Sequence, residues 1–326
     1  MVLAGDIGGT KALLALAEPG ADAPRIVFQR RYACAEDASA GALLGSFIAD
    51  VEAAGQPLPT VGCLGVAGPV RDQRVRLTNL PWELDGELLA RRLRLFSLIL
   101  INDFVAAAHG LGFVQAANRA PVWPAEPDPH APAVILGPGT GLGVAVILRD
   151  ERGTPRVLPG EGGHMGFAPR DARQAGLLQW LARQHPRVTV ERVLSGPGLV
   201  AIYRFLAEQT HTADLPDPLK AADAAAAIGT LAQSRPGSLA AQAVALFADA
   251  LGAFAGDLGL LLDARAGVFI CGGVAARLAP LLSEPLKNAF LEKSEHDELI
   301  RAMPLYLVRE ERLGLFGAAS IGITRA

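Results

Sequence analysis

Val2 to Ala17 reads VLAGDIGGTKALLALA, two short apolar runs either side of Asp6, Gly8, Gly9 and Thr10. Each run is too short for an ordinary helix and apolar enough for a buried strand, and the glycine pair between them is a turn signal. The stretch therefore predicts strand, glycine turn, strand. RIVFQRRY, from Arg25, adds a third strand, so the chain opens as a β-meander.

Working outward, the same pattern returns once: VILGPGTGLGVAVIL, from Val134 to Leu148, is again strand, glycine turn, strand. One long-range repeat is no solenoid, but it points to two lobes with similar cores. A chain of 326 residues allows this, since single cores stop growing at roughly 250 to 300 residues. After the opening meander the expected order is a helix at 39–54, a strand from Thr60, a helix at 85–94, a strand ending at Asn102 and a helix from Phe104. Strands alternating with helices imply an α/β fold whose sheet is mostly parallel beyond the meander. A Pro-rich stretch from Arg119 to Ala133 reads as a linker or surface loop. The second half is richer in helix, with a long Ala/Leu candidate at about 238–264, strands at GVFI and PLYLV, and a closing helix from about Leu313.

Composition narrows the function classes. With 51% apolar and 19% charged residues the chain is globular in type, and a net charge of -3 argues against a nucleic-acid partner, which would meet a basic face. Cys34, Cys63 and Cys271 are odd in number and far apart, as expected for reduced thiols in the cytoplasm. The opening MVLAGDIGGT has no basic n-region and breaks its apolar run at Asp6, so no signal peptide is expected. The uncharged stretch Ala131–Leu148 has the length of a membrane span, but its four glycines and two prolines suit two strands better. No membrane is expected as a partner.

Several motifs can carry chemistry. DIGGTK, Asp6 to Lys11, reads either as a plain hairpin turn or as a phosphate cradle, in which left-handed glycines free backbone N–H groups and Thr10 adds a hydroxyl. Gly139, Thr140 and Gly141 in the second turn have the same chemistry. Neither turn has Walker spacing or the strand-to-helix setting of a dinucleotide fingerprint. Gly272 and Gly273 sit between a strand and a helix, where phosphate or nucleoside can approach backbone. Glu161 and His164 lie on a glycine-rich loop that no core-packing need explains; Gly160, Gly162 and Gly163 rule against the helix that a Glu-x-x-His metal site would use, so no metal ligand is assigned. Glu191 in TVERVLSGPGL reads alternatively as an early-helix acid. In LILINDFVAAA, Asn102 and Asp103 end a strand and open a helix, where they either cap the helix or act at a ligand crevice.

Taken in order, GDIGGTK, LINDF, GPGTGLG, LPGEGGH, VERVLSGPGL and CGGV resemble the bacterial glucokinase family, within the larger group of hexokinases, actin and heat-shock ATPases, over nearly the whole chain. Related ROK sugar kinases share the first turn but usually carry zinc-binding cysteines after the Gly-His; here no Cys lies between Cys63 and Cys271. The resemblance implies a two-lobed actin-like (ribonuclease H-like) ATPase fold, each lobe a mixed sheet flanked by helices, with the site in the cleft. It implies lobes at 1–113 with the closing helix 313–326, and at 114–312. It further implies transfer of the ATP γ-phosphoryl group to the 6-hydroxyl of glucose with Mg²⁺ on the phosphates. Asp103 would be the general base; Asn102, Asp103, Glu161, His164 and Glu191 would hold the sugar. Asp6, Gly8, Gly9, Thr10, Gly139, Thr140, Gly141, Gly272 and Gly273 would surround the nucleotide. Lys11, Met165 and Gly166 fall where family members vary and receive no role. A homodimer is expected by resemblance. The rivals are a kinase for another hexose or amino sugar, a sugar-sensing repressor, for which only five residues precede Asp6, and an actin-like ATPase, which has no use for Glu161 and His164.

Overall fold

A computed structural model describes residues 1–77 and 80–325. The chain divides into two compact units, Met1–Gln115 with Glu310–Ala326, and Ala116–Arg309.

The first unit is built on a five-stranded sheet. Strands β1 (Val2–Ile7), β2 (Lys11–Glu18) and β3 (Arg25–Ala33) form the expected meander, and helix α1 (Ala40–Ala53), capped by Ser39, leads to β4 (Val61–Val66). A small hairpin, β5 (Arg74–Arg76) and β6 (Glu83–Asp85), precedes α2 (Gly86–Leu93); β7 (Ser97–Asn102) runs straight into α3 (Asp103–Gly110). The sheet order is β3-β2-β1-β4-β7, antiparallel through the meander and parallel from β1 to β7. The parallel registers pair Ile7 with Val66 and Val66 with Asn102, so the three parallel strands end along one side of the sheet.

Strands β1 and β4 are covered on both faces, as their apolar runs without alternation require: Leu3, Ala4, Cys63 and Leu64 have no solvent exposure. One face packs on α1 through Leu43, Leu44 and Phe47. The other packs on the C-terminal helix Leu313–Thr324 through Leu315, Ala318 and Ala319. That helix lies backbone to backbone on α3: a Cβ at Gly317 would stand 1.8 Å from the Ala106 carbonyl oxygen, and one at Gly110 would stand 2.0 Å from that of Leu313. Only glycine permits so close an approach.

The second unit repeats the plan. Its strands are β8 (Arg119–Trp123), β9 (Ala133–Pro138), β10 (Leu142–Arg149), β11 (Pro155–Gly160), β12 (Gly267–Ile270) and β13 (Leu305–Val308), in the order β11-β10-β9-β12-β13-β8. β9 and β10 form the second strand–turn–strand unit, and β12 and β13 extend it in parallel. Helices α4 (Ala172–Ala182), α5 (Gly196–Thr210), α6 (Ala224–Ser234), α7 (Leu239–Leu262), α8 (Gly273–Leu291) and α9 (Asp297–Arg301) complete it. By length and composition α7 could cross a membrane, but two-thirds of its most apolar window is buried inside this unit, as in a core helix.

One expectation is corrected. Arg119–Trp123, read as the start of a linker or loop, is strand β8, antiparallel to β13 at the edge of the sheet. Pro121 has no N–H to give a second neighbour, and an edge position asks for none.

Candidate active site

In the first unit the candidate residues gather where the parallel strands end. Asp6 precedes the β1–β2 turn, which is closed by the Gly8 N–H donating to the Lys11 carbonyl at 3.0 Å. The turn is held from outside by residue 34. The Cys34 N–H donates to the Thr10 carbonyl at 3.0 Å, and its thiol donates to the Gly8 carbonyl at 3.7 Å. The Asp6 carboxylate points to the first turn of the C-terminal helix, where its Oδ2 lies 2.7 Å from the place a Gly314 Cβ would take. Burial pushes its pKa up to about 6. A carboxyl group held that far above its ordinary range gains from any cation brought to it.

Asn102 and Asp103 sit at the carboxyl end of β7, and the local geometry shows how they are fixed. The Asn102 Oδ1 accepts from the Phe104 and Val105 N–H groups at 2.9 and 3.2 Å, which makes it the N-cap of α3. Its Nδ2 donates to the Asp103 Oδ1 at 3.0 Å and to the Gly68 carbonyl at 3.3 Å. The Asp103 Oδ1 also accepts from the Phe104 N–H at 2.9 Å. Capping thus belongs chiefly to Asn102. Asp103, half-buried, is held by its neighbours with the α3 N-terminus beneath it, a position that favours negative charge.

In the second unit the glycine turn, the sugar-loop candidates and the β12–α8 junction converge on the start of β10. The Gly139 N–H donates to the Gly141 carbonyl at 2.8 Å, and the Gly196 N–H at the head of α5 donates to the Gly139 carbonyl at 2.8 Å. Thr140 is exposed at the tip of this turn. Gly272 takes φ +91°, and a Cβ there would meet the Pro138 carbonyl at 2.6 Å, so the β12–α8 turn lies directly on the β9–β10 turn. Cβ atoms at Gly139 and Gly273 would meet nothing within 4 Å; both face open space.

Glu191 lies in a short 3₁₀ turn, Val190–Arg192, and its Oε2 accepts from the Leu142 N–H at 2.8 Å. The Ser195 hydroxyl donates to the Glu191 carbonyl at 2.7 Å while accepting from the Gly198 N–H at 3.1 Å, tying Glu191 to the α5 cap. Glu161 follows β11, and His164 ends a 3₁₀ turn, Gly162–His164; the His164 Nε2 stands 3.9 Å from the Glu161 Oε2, and both side chains are exposed. Val190 donates its N–H to the Met165 carbonyl at 2.9 Å, which fastens this loop to the segment carrying Glu191.

Two sequence arguments need correction. The glycines of the GEGGH loop do have a packing reason: a Cβ at Gly163 would fall 2.2 Å from the Leu142 carbonyl, and one at Gly162 would fall 2.8 Å from the Val144 side chain, so the loop rests on β10. Nor do Gly8, Gly139 and Gly141 adopt left-handed backbone. Gly141 is glycine for another reason, since its Cβ would stand 2.4 Å from the Glu191 Oε2. Two contributors escaped the sequence reading altogether. Cys34 and Ser195 act through backbone contacts whose partners are fixed only by the fold, and only the serine, standing just before GPG, carried a capping signal.

Two mixed sheets that share a five-strand order, each built on a strand–glycine turn–strand unit, with a sixth strand added at the edge of the second, give an α/β protein with the actin-like ATPase fold. The sequence model of the glucokinase family matches residues 3–324. A glucokinase of Nostoc punctiforme is 36% identical over 338 residues, covering 98% of each chain. The crystal structure of a glucokinase from an Antarctic psychrotroph is 30% identical, covers 99% of this chain and 98% of its own, and superposes with a TM-score of 0.83. A Balamuthia mandrillaris glucokinase in complex with glucose shares the fold, at 24% identity and a TM-score of 0.78 over 98% of this chain and 93% of its own. The chain belongs to the glucokinase family.

Proposed function

We propose that the chain transfers the γ-phosphoryl group of ATP to the 6-hydroxyl of D-glucose, with Asp103 as the base that accepts the hydroxyl proton. The position of Asp103 carries the reading. A carboxylate at the carboxyl end of a parallel strand sits where α/β sheets open to ligands, and phosphoryl transfer asks the protein for positioning, charge neutralisation and a proton acceptor. The Asn102 amide and the Phe104 N–H both engage Oδ1. They fix the carboxylate so that its negative charge is oriented before the sugar arrives.

Asn102, Glu161, His164 and Glu191 are assigned to the sugar. Their amide, carboxylate and imidazole groups offer the mixed donors and acceptors that a ring of hydroxyls requires. The glycine turns at Gly8, Gly9 and Thr10 and at Gly139, Thr140 and Gly141, with Gly272 and Gly273, are assigned to the nucleotide, where exposed backbone can come close to phosphate oxygens. Among the described residues no three His, Cys, Asp or Glu side chains gather to hold a metal ion. Asp6 alone, beside the first turn, fits magnesium, which characteristically takes one or two carboxylates and otherwise phosphates and water. Magnesium, when bound, neutralises charge on the phosphates.

ADP release under Mg-ATP against glucose, mannose, fructose, galactose and N-acetylated hexosamines tests the substrate. Turnover highest on glucose supports the proposal; turnover highest on another hexose or an amino sugar replaces glucose as substrate, and turnover indifferent to sugar contradicts a kinase role.

A further inference from the structure

Strand β7, which delivers Asn102 and Asp103, is an edge strand, with no neighbour beyond it in the sheet among the described residues. An edge strand leaves every second N–H and C=O unpaired, and a strand that must place a catalytic side chain needs them held. Gly68 and Gln73 both reach this edge. At its end the Gly68 carbonyl takes the Asn102 amide at 3.3 Å. Two residues back, the Gln73 side chain stands in for a missing strand. Its Oε1 accepts from the Leu100 N–H at 2.8 Å and its Nε2 reaches the Leu100 carbonyl at 3.5 Å.

The backbone that aims this side chain is unusual. Asp72 and Gln73 both have left-handed φ, at 49° and 58°, although neither is glycine. They are the two central residues of a tight turn that Arg71 and Arg74 close by exchanging N–H···O=C bonds at 2.9 and 2.8 Å, a turn that requires φ > 0 at both positions. The surroundings here are specific. The Gly86 N–H donates to the Gln73 carbonyl at 2.9 Å, and Gly86 has no room for a Cβ, which would lie 2.7 Å from the Leu98 carbonyl. The head of α2 therefore presses Gln73 against β7.

We propose that Gln73 is a positioning residue for the reaction: its amide fixes the last residues of β7 and so the placement of Asn102 and Asp103. The proposal rests on Asp103 being the base. The glutamine amide matches both the donor and the acceptor of one backbone residue at this reach, and its acceptor makes the shorter bond.

The test is a kinetic cycle with Gln73→Asn and Asp103→Asn. Asparagine tolerates left-handed φ well, so the turn keeps its conformation, but the side chain is one methylene too short to reach Leu100. The melting temperature should stay close to that of the parent and the ATP KM within about twofold, while kcat falls roughly tenfold, since small misplacements of reacting groups are costly. In the Asp103→Asn background the same substitution should lower residual kcat by less than about twofold, because residues acting through one another are not additive. Gln73→Glu, which keeps the length and the acceptor for the Leu100 N–H, should recover most of kcat. An unchanged kcat, an equal fall in both backgrounds, or a loss that tracks melting temperature overturns the role of Gln73. Should Gln73→Asn not fold, Gln73→Met, with the length but neither hydrogen bond, takes its place in the cycle with the same criteria. Asp103→Asn alone reads the base assignment separately: if it keeps turnover, that assignment fails and the Gln73 proposal with it, whereas a harmless Gln73→Asn defeats only Gln73.

Discussion

Replacing Gly317 by alanine probes how the C-terminal helix sets the site. The new methyl carbon would lie 1.8 Å from the Ala106 carbonyl oxygen. Even favourable C···O contacts are no shorter than about 3.3 Å, so α3 and the C-terminal helix must separate by roughly 1.5 Å locally. Two costs follow. Overpacking a well-packed interface takes about 1–3 kcal/mol. Helix α3 begins at Asp103, so moving it shifts the carboxylate by up to about 1 Å, which is enough to lower kcat by as much as a hundredfold. Denaturant unfolding and steady-state kinetics on Gly317→Ala should show both, with the ATP KM less affected than kcat. Gly45→Ala in α1, where a Cβ meets nothing within 4 Å, is the matched control and should leave kcat unchanged while stabilising the helix by up to about 1 kcal/mol. A Gly317→Ala protein as stable and active as the parent would refute the claim that backbone contact between these helices places Asp103.

Three further outcomes are expected. The Asp6 pKa is raised to about 6, so its contribution to stability is fully present below about pH 4 and is lost as pH rises through 6, at most about 3 kcal/mol in all; Asp6→Asn should therefore raise the melting temperature more at pH 8 than at pH 4.5, and equal shifts would contradict the burial argument. His164→Ala should raise the glucose KM far more than the ATP KM, by up to the 1–3 kcal/mol that an unpaired buried polar group costs; equal effects on both substrates count against its place at the sugar. Gly141→Ala puts a methyl 2.4 Å from the Glu191 Oε2, so it should dislodge that carboxylate from the Leu142 N–H and raise both KM values; unchanged KM values would contradict this placement of Glu191.

The features that were legible in the sequence are those whose cause is local. An apolar run, a glycine pair and a second apolar run gave both strand–turn–strand units, and Ser39, Asp85 and Ser238 marked helix starts where their side chains accept from the backbone. What stayed hidden depends on distant partners. Pro121 disguised β8 because its missing N–H matters only for a strand paired on both sides. The β5–β6 hairpin has strands of only three residues, and the tight turn ahead of it, at Asp72 and Gln73 between Arg71 and Arg74, has no glycine, so the usual turn signature was missing. The glycines of the GEGGH loop looked like flexibility, whereas Gly162 and Gly163 make room for β10. The candidate site followed the same division: Asp103 could be placed at a strand end from the sequence, but the bonds that hold it, from Asn102 and Phe104, needed the fold.

The most direct test of the account is the turnover of Asp103→Asn under saturating glucose and Mg-ATP. Asparagine keeps an Oδ1 able to accept from the Phe104 N–H, and Asn102 still caps α3, so folding and glucose affinity should change little. A general base contributes about 10²- to 10⁴-fold, and kcat should fall by at least about a hundredfold. Retention of most of the parental kcat would contradict the account and leave Asp103 as part of the helix cap.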